Sequence, residues 1–198
     1  MRPTDALLPR LGIAAALVAT AALSGCRSKD ESLPGDGGQY PRTIKLTSTA
    51  FAEGQPIPQK YTGEGADVSP PLSWSALPQG TKELALICDD PDAPGGTWVH
   101  WIVYKIPAAA TGLPEDVGGA EGRQPELLGM VEGKNSFDET GYGGPMPPPG
   151  NGRHRYFFRL YALDSELALE PGLDKVAILE AIVGHIVAEG ELMGTYER

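Results

Sequence analysis

The sequence predicts a mostly β protein with the architecture of a β-sandwich and one helix near its C-terminus. Short apolar segments with strand alternation recur along the chain, and clusters drawn from its 19 prolines and 26 glycines separate them. Such spacing favours short strands joined by irregular crossings. Helical spacing is strong only over residues 174–190, with Asp174 as the predicted N-cap and Gly190 as the predicted end. Short strands followed by one helix are typical of a sandwich with peripheral helices. The clearest predicted strands are residues 83–88, 98–104 and 153–161.

The N-terminus is predicted to be a lipoprotein signal peptide, residues 1–25. A positively charged start precedes the apolar segment 11–23, which is too short for a convincing transmembrane helix. The segment ends in Leu-Ser-Gly followed by Cys26, which resembles the bacterial lipoprotein processing box. We therefore expect Cys26 to be lipidated and to anchor the protein to the bacterial cell envelope, on its periplasmic face. An ordinary signal peptide with an incidental cysteine, or an uncleaved anchor, are the alternatives.

Residues 26–41 are predicted to be a flexible tether, followed by one domain over residues 42–198. The tether is rich in Ser, Lys, Asp, Glu, Pro and Gly and has no apolar period. The domain is long enough to build a single core. Apart from Cys26, its only cysteine is Cys88. The mature chain therefore cannot form an intramolecular disulfide, and Cys88 is predicted to be a small buried hydrophobe.

The charge of the chain excludes one large class of functions. The formal net charge is −10, and removal of residues 1–25, with two arginines and one aspartate, makes it −11. Sequence-independent binding of nucleic acid needs clustered Lys and Arg, so no nucleic-acid partner is expected. Adsorption to anionic lipid is disfavoured for the same reason. Membrane attachment is therefore expected to come from the anchor.

The stretch from Asp89 to Tyr104 is predicted to form one wall of a pocket. The strand 83–88 ends at two prolines, which fix φ and remove two backbone donors. Asp90 and Asp92 are therefore held in a stiff loop. The chain then returns as a second strand, on which alternation predicts one shared face for Trp98, His100, Ile102 and Tyr104.

A second stretch is predicted to complete the pocket. Residues 141–152 form a long Gly/Pro loop that is rigid at its prolines and permissive at its glycines. The strand that follows is predicted to place His154, Tyr156, Phe158 and Leu160 on one face. Two of the three histidines of the chain thus stand at strand starts beside unusual loops.

These two stretches resemble the phosphatidylethanolamine-binding protein (PEBP) family, in its bacterial, Raf-kinase-inhibitor-like branch. The motifs that carry the resemblance are Asp90-Pro91-Asp92-Ala93-Pro94, Trp98-Val99-His100-Trp101, the Gly/Pro loop leading to His154-Arg155-Tyr156, Ser69-Pro70-Pro71-Leu72-Ser73-Trp74 and Leu192-Met193-Gly194-Thr195-Tyr196. Separate motifs in the right order over residues 43–198 make a specific signal. The resemblance implies an antiparallel Greek-key β fold with peripheral helices. It also implies a small anion-binding pocket lined by Asp90, Asp92, His100, Pro148, His154 and Tyr156.

Several functions are compatible with this group of side chains. Carboxylates beside the histidines favour imidazolium and are expected to raise the histidine pKa above about 6.5. With a Tyr hydroxyl, imidazolium can donate to a phosphate or another small anion. The alternatives are a purely structural network, a hydrolase or metal-dependent enzyme that uses the His/Asp cluster, and an inhibitor or regulator of a kinase or protease. We expect a ligand-binding protein with no catalytic residue, cofactor or metal site. The protein partner, if any, and the oligomeric state, a homodimer included, stay open.

Overall fold

The structure is a computed structural model that describes residues 39–117 and 129–198. The described residues belong to one compact unit that spans residues 32–198. The predicted signal peptide 1–25, Cys26 and all of the predicted tether but its last three residues lie outside the described residues. Within the described residues, no helix is both long and apolar enough to cross a bilayer.

Eight strands, one α-helix and one 3₁₀ helix (Gln59–Tyr61) make up the described part of the chain. In chain order they are β1 (Leu46–Ser48), β2 (Leu72–Trp74), β3 (Glu83–Asp90), β4 (Trp98–Pro107), β5 (Gly112–Leu113), β6 (Val131–Glu132), β7 (His154–Leu163), α1 (Lys175–Ile182) and β8 (Ile186–Tyr196). All strand pairs in the two sheets are antiparallel. A small sheet has the order β1-β2-β5, and a five-stranded sheet has the order β6-β4-β3-β7-β8. The predicted mostly β, antiparallel fold with a helix near the C-terminus is confirmed.

Strand β3 is the middle strand of the five-stranded sheet, and all eight of its residues are buried. Its side chains alternate between two apolar clusters, as a strand covered on both faces requires. Leu84, Leu86 and Cys88 pack in the cluster shared with the small sheet. Ala85 and Ile87 pack in the cluster that contains the apolar face of α1. The five-stranded sheet is therefore covered by the small sheet on one face and by the helix on the other.

The alternation predicted for β4 is wrong at His100, because the strand contains a β-bulge there. Cys88 pairs with Trp101 and Asp89 with Val99, so His100 is an extra residue on β4. A bulge breaks the two-residue period of a strand. Ile102 and Tyr104 consequently pack under the helix, whereas the His100 ring lies against Tyr156, whose neighbours belong to the cluster on the opposite face.

The predicted helix is correct at its start and too long at its end. The Asp174 side chain accepts a hydrogen bond from the backbone N–H of Ala177 at 2.9 Å, as an N-cap does. The helix ends at Ile182, and residues 183–185 form a turn that contains His185. From Ile186 onward the chain pairs with β7 as strand β8. A long antiparallel ladder outweighs the helical spacing of a few apolar residues.

Candidate ligand-binding cavity

A cavity of about 250 Å³ lies where β3 ends and where β4 and β7 begin. Five of the six side chains predicted for the pocket line it: Asp90, His100, Pro148, His154 and Tyr156. The other lining residues are Ala93, Pro94, Gly95, Trp98, Phe137, Met146 and Pro147. The sequence motifs thus converge in space, with one exception.

That exception is Asp92, which does not line the cavity. Its two carboxylate oxygens accept hydrogen bonds from the Arg155 guanidinium at 2.7 and 2.8 Å, and the Arg155 backbone N–H adds a third at 3.0 Å. These hydrogen bonds hold the pKa of Asp92 below its usual value. Asp92 therefore ties the turn after β3 to the start of β7, and it shapes the rim without lining the cavity.

Asp90 and His154 form a buried pair at the floor of the cavity. Both are nearly inaccessible, at 3% and 2% exposure. The distance between His154 Nδ1 and Asp90 Oδ2 is 2.7 Å. Asp90 Oδ1 accepts the backbone N–H of Asp92 at 2.8 Å, and His154 Nε2 lies 3.1 Å from the Asn151 side-chain amide. Each member of the pair is thus held on both sides, so the pair is rigidly placed.

His100 is held differently, by a backbone carbonyl. Its Nδ1 lies 2.6 Å from the carbonyl oxygen of Gly143. A carbonyl only accepts, so Nδ1 carries the proton and Nε2 is the acceptor of the neutral ring. Burial lowers the pKa of His100, against the raising influence of Gly143 and of nearby aspartates. The expectation that neighbouring carboxylates favour imidazolium is therefore wrong for His100, because desolvation dominates.

Gly143 contacts His100 twice and lies directly against the Phe137 ring. The Gly143 N–H donates to the backbone carbonyl of His100 at 3.0 Å, so Gly143 is hydrogen-bonded to both the main chain and the ring of that residue. A Cβ at this position would stand 2.7 Å from the ring of Phe137. Real Cβ atoms do not approach so closely, so any larger residue would displace the rim.

Tyr156 presents a polar atom that the described residues leave unsatisfied. The side chain is 1% exposed, and its buried hydroxyl has no hydrogen-bond partner among the described residues. Burial and then the Asp90 charge raise the pKa of Tyr156 far above its usual value, so the hydroxyl is a neutral donor. Asp90 acts on that pKa both by its charge and as a neighbouring acceptor, although the contact does not have full hydrogen-bond geometry. The ring packs edge-on against His100 at 5.2 Å between centroids.

The rim is formed by exposed apolar side chains, of which sequence reasoning placed Trp98 on the pocket wall and missed Phe137 and Met146. Trp98, Phe137 and Met146 are 38, 43 and 51% exposed, and all three line the cavity. The Phe137 ring meets Trp98 edge-on at 5.4 Å between centroids. Asn135 fixes the Phe137 loop, since its side-chain oxygen accepts the N–H groups of Phe137 and Glu139. The signal available in the sequence was Phe137 itself, a lone aromatic residue in the polar segment 135–139.

Potential metal ligands are not clustered in the residues that the structure describes. Across 39–117 and 129–198, no three His, Cys, Asp or Glu side chains are grouped so that they could hold a metal ion. Asp92, one of the four ligands that a zinc site here would use, is turned toward Arg155.

Comparison with known proteins places this arrangement in a family. A family model described as "Phosphatidylethanolamine-binding protein" matches residues 47–197. A UPF0098 protein of Methanothermobacter thermautotrophicus is 51% identical over 155 residues, which cover 78% of this chain and 99% of the relative. A UPF0098 protein of Chlamydia trachomatis is 46% identical over 160 residues, with 78% and 99% covered.

Solved structures agree. The chain superposes on the putative PEBP homologue CT736 of Chlamydia trachomatis with a TM-score of 0.70 at 44% identity, covering 78% of this chain and 97% of that one. It superposes on E. coli YbcL, described as a new member of the mammalian PEBP family, with a TM-score of 0.73 at 34% identity, covering 78% and 98%. The chain therefore belongs to the phosphatidylethanolamine-binding protein family.

Proposed function

We propose that the cavity binds a small anionic ligand, such as a phosphate or a phosphorylated headgroup, and that the domain works as a receptor and not as a catalyst. The observation that carries the proposal is the Tyr156 hydroxyl, which is buried without a partner beside His100. An unsatisfied buried donor costs about 1–3 kcal/mol, so a native structure completes such a donor with a water, an ion or a ligand. A phosphate oxygen is a strong acceptor for such a donor.

The size and stiffness of the cavity support a small ligand. With about 30 Å³ of liquid volume per water molecule, 250 Å³ is room for roughly eight waters. Pro94, Pro147 and Pro148 stiffen the walls. Little ordering entropy then opposes binding, which favours affinity for a compact group.

The engagement of His154 removes this histidine as a candidate general base. A general base must have a nitrogen free to take a proton from the reacting group. Both nitrogens of His154 are engaged, one by Asp90 and the other by Asn151. The pair thus supplies a fixed floor to the cavity.

Isothermal titration calorimetry with inorganic phosphate tests the proposal. Tyr156→Phe removes the unpartnered hydroxyl and should weaken phosphate binding by about 10- to 100-fold, the equivalent of one hydrogen bond to a charged group. The fold should be unharmed or slightly more stable, because an unsatisfied polar group is lost.

Tyr142→Phe is the matched control. Its hydroxyl is also buried but donates to the Tyr61 carbonyl at 2.7 Å, and Tyr142 does not line this cavity. This change should cost about 1–3 kcal/mol of stability and leave phosphate affinity unchanged. Absence of phosphate binding to the wild type, or equal weakening in both variants, would contradict the proposal.

We further propose that the domain is exported and held at the bacterial cell envelope by a lipid on Cys26. The support is the sequence alone: an apolar segment that ends in small residues before this cysteine. Cys26→Ser should abolish acyl labelling and release the protein from membranes without unfolding the domain. Metabolic labelling with a fatty acid is the measurement, and a wild-type protein that carries no lipid would refute the anchor.

A further inference from the structure

The polar side chains of the cavity differ in what they still have to offer a ligand. Asp90 and His154 are occupied by each other and by their second partners. The Tyr156 hydroxyl and the Nε2 of His100 have no partner among the described residues. A ligand that reaches the floor of the cavity therefore meets one free hydroxyl and one free ring nitrogen.

The free nitrogen of His100 is an acceptor. The Gly143 carbonyl holds the proton on Nδ1, so the neutral ring presents a lone pair at Nε2. The Asp90 carboxylate, which lines the same cavity, has further acceptor capacity and no proton to give when ionised. The side-chain donors of the lining are the Tyr156 hydroxyl and, at the rim, the indole N–H of Trp98.

The described lining contains no side chain with a fixed positive charge. Among the described residues that line the cavity there is no Lys or Arg. Pro94, Pro147 and Pro148 have no backbone N–H at all. A fully deprotonated oxyanion would therefore meet no fixed positive charge, and it would oppose its lone pairs to the lone pair of His100 Nε2.

We propose, on the basis of the function proposed above, that the cavity selects an oxyacid group that still carries a proton, so that a phosphate monoester in its monoanionic form binds in preference to a phosphodiester. The P–OH of the monoester donates to His100 Nε2, and one of its other oxygens accepts from Tyr156. A phosphodiester carries the same charge but has no proton to donate. His100 Nε2 then stays unpaired, which sites built to hydrogen-bond a ligand hydroxyl penalise strongly.

The charged groups around His100 are consistent with a neutral ring. Asp90 lies on β3 next to Asp89, and Asp67 lies in a loop; all three carboxylates act to raise the pKa of His100. Burial outweighs them, so the pKa of His100 is lowered. The acceptor therefore persists below the pH at which an exposed histidine would protonate.

The decisive experiment compares methyl phosphate with dimethyl phosphate by calorimetry at about pH 5, on the full-length protein in a non-ionic detergent. The second pKa of a phosphate monoester is about 6, so both probes are monoanions at that pH and differ in the P–OH group and one methyl. Methyl phosphate should bind at least about tenfold more tightly. Raising the pH to about 8 should weaken methyl phosphate and leave dimethyl phosphate unaffected.

Two variants assign this preference to its residues. His100→Asn keeps a donor for the Gly143 carbonyl but removes the Nε2 acceptor, so the preference for methyl phosphate should disappear. Tyr156→Phe should weaken both esters by the same factor, because Tyr156 donates to an oxygen that both possess. If His100→Asn fails to fold, the wild-type ratio and the Tyr156→Phe ratio still decide the matter.

The source of the phosphate is distinguished by vesicles. Retention of the Cys26→Ser variant, which lacks the proposed lipid, on phosphatidylcholine vesicles that contain phosphatidic acid, a lipid monoester, but not on phosphatidylcholine alone would assign a membrane ligand. Methyl phosphate binding without such retention would assign a soluble monoester, and both results support the inference. Equal affinity for the two esters, or tighter binding of dimethyl phosphate, would overturn the inference and leave the proposed function standing. No binding of either ester would defeat both.

Discussion

Asp89 and Asp90 are consecutive residues of β3, and they serve opposite faces of the central sheet in opposite ways. Asp89 is 1% exposed and accepts from Arg159 Nη1 and Lys175 Nζ, each at 2.6 Å. Lys175 begins α1, so this contact joins the sheet to the helix. Asp90, on the other face, is matched only by a histidine and a backbone N–H.

The contrast separates a structural site from a binding site made of the same residue type. On the helix face two cations of fixed charge neutralise Asp89, and nothing is left for a ligand. On the cavity face the compensating charge depends on a titratable ring, and a neighbouring hydroxyl is unsatisfied. Neutralisation of Asp89 by fixed charges stabilises the fold, whereas incomplete neutralisation of Asp90 leaves room for a ligand.

The largest expected effect comes from removing the charge on the helix face. Asp89→Asn leaves two cations beside a neutral amide, and breaking a buried ion pair typically costs about 3–5 kcal/mol. Asp90→Asn should cost less, about 1–3 kcal/mol, because its partner is a histidine that can stay neutral. Urea denaturation of both variants gives the comparison. A greater loss of unfolding free energy for Asp90→Asn than for Asp89→Asn would contradict the roles assigned to the two faces.

The next effect is a pH dependence of stability that comes from His100. Its folded pKa is lowered, so the unfolded chain binds a proton first as the pH falls. The contribution of His100 is fully present above the unfolded value of about 6.5 and declines as the pH falls from there toward the folded value. The slope for one proton is at most about 1.4 kcal/mol per pH unit.

The matched variant for that measurement is His100→Asn, which does not titrate. The stability difference between wild type and variant, followed by denaturation from about pH 8 to 5, should shift against the wild type as the pH falls. A difference that stays constant, or that shifts in favour of the wild type, would mean that the ring is not held neutral.

The smallest expected effect concerns the rim. Arg155→Met removes the two guanidinium hydrogen bonds to Asp92, but Arg155 is half exposed, and such pairs contribute about 0.2–1 kcal/mol. The turn after β3 should loosen, and phosphate affinity should fall only a few-fold. Calorimetry with phosphate, run alongside the Tyr156→Phe variant, measures this. A loss of affinity as large as that of Tyr156→Phe would mean that the Arg155–Asp92 pair contacts the ligand directly.

Patterns within one segment predicted the fold well. The buried run of β3 and the alternation of β7 are local, so the strands and the shared face of His154 and Tyr156 could be derived from sequence. The bulge at His100 could not, because it exists only in the register between β3 and β4. The end of α1 failed for a related reason: Ile186 and Val187 fit a helical period as well as a strand.

The candidate site shows the same division. Its lining residues on strands were predicted from motifs, whereas Phe137 and Met146 reach the cavity through loops whose path depends on distant contacts. The partner of Asp92 is 63 residues away, and nothing local indicates it. The direction of the His100 pKa was missed because burial, which the sequence does not quantify, outweighs the neighbouring carboxylates.

The buried thiol of Cys88 can report transient opening of the central sheet. The thiol is 1% exposed at the centre of β3, and burial raises its pKa well above the usual value. It is the only cysteine besides Cys26. A thiol reagent can modify it only when strands separate around β3, since the thiolate is the reactive species and needs access to solvent. The rate of modification, measured with a saturating small anion and without it, would therefore read out how far occupancy of the cavity suppresses opening of the strand that carries Asp90.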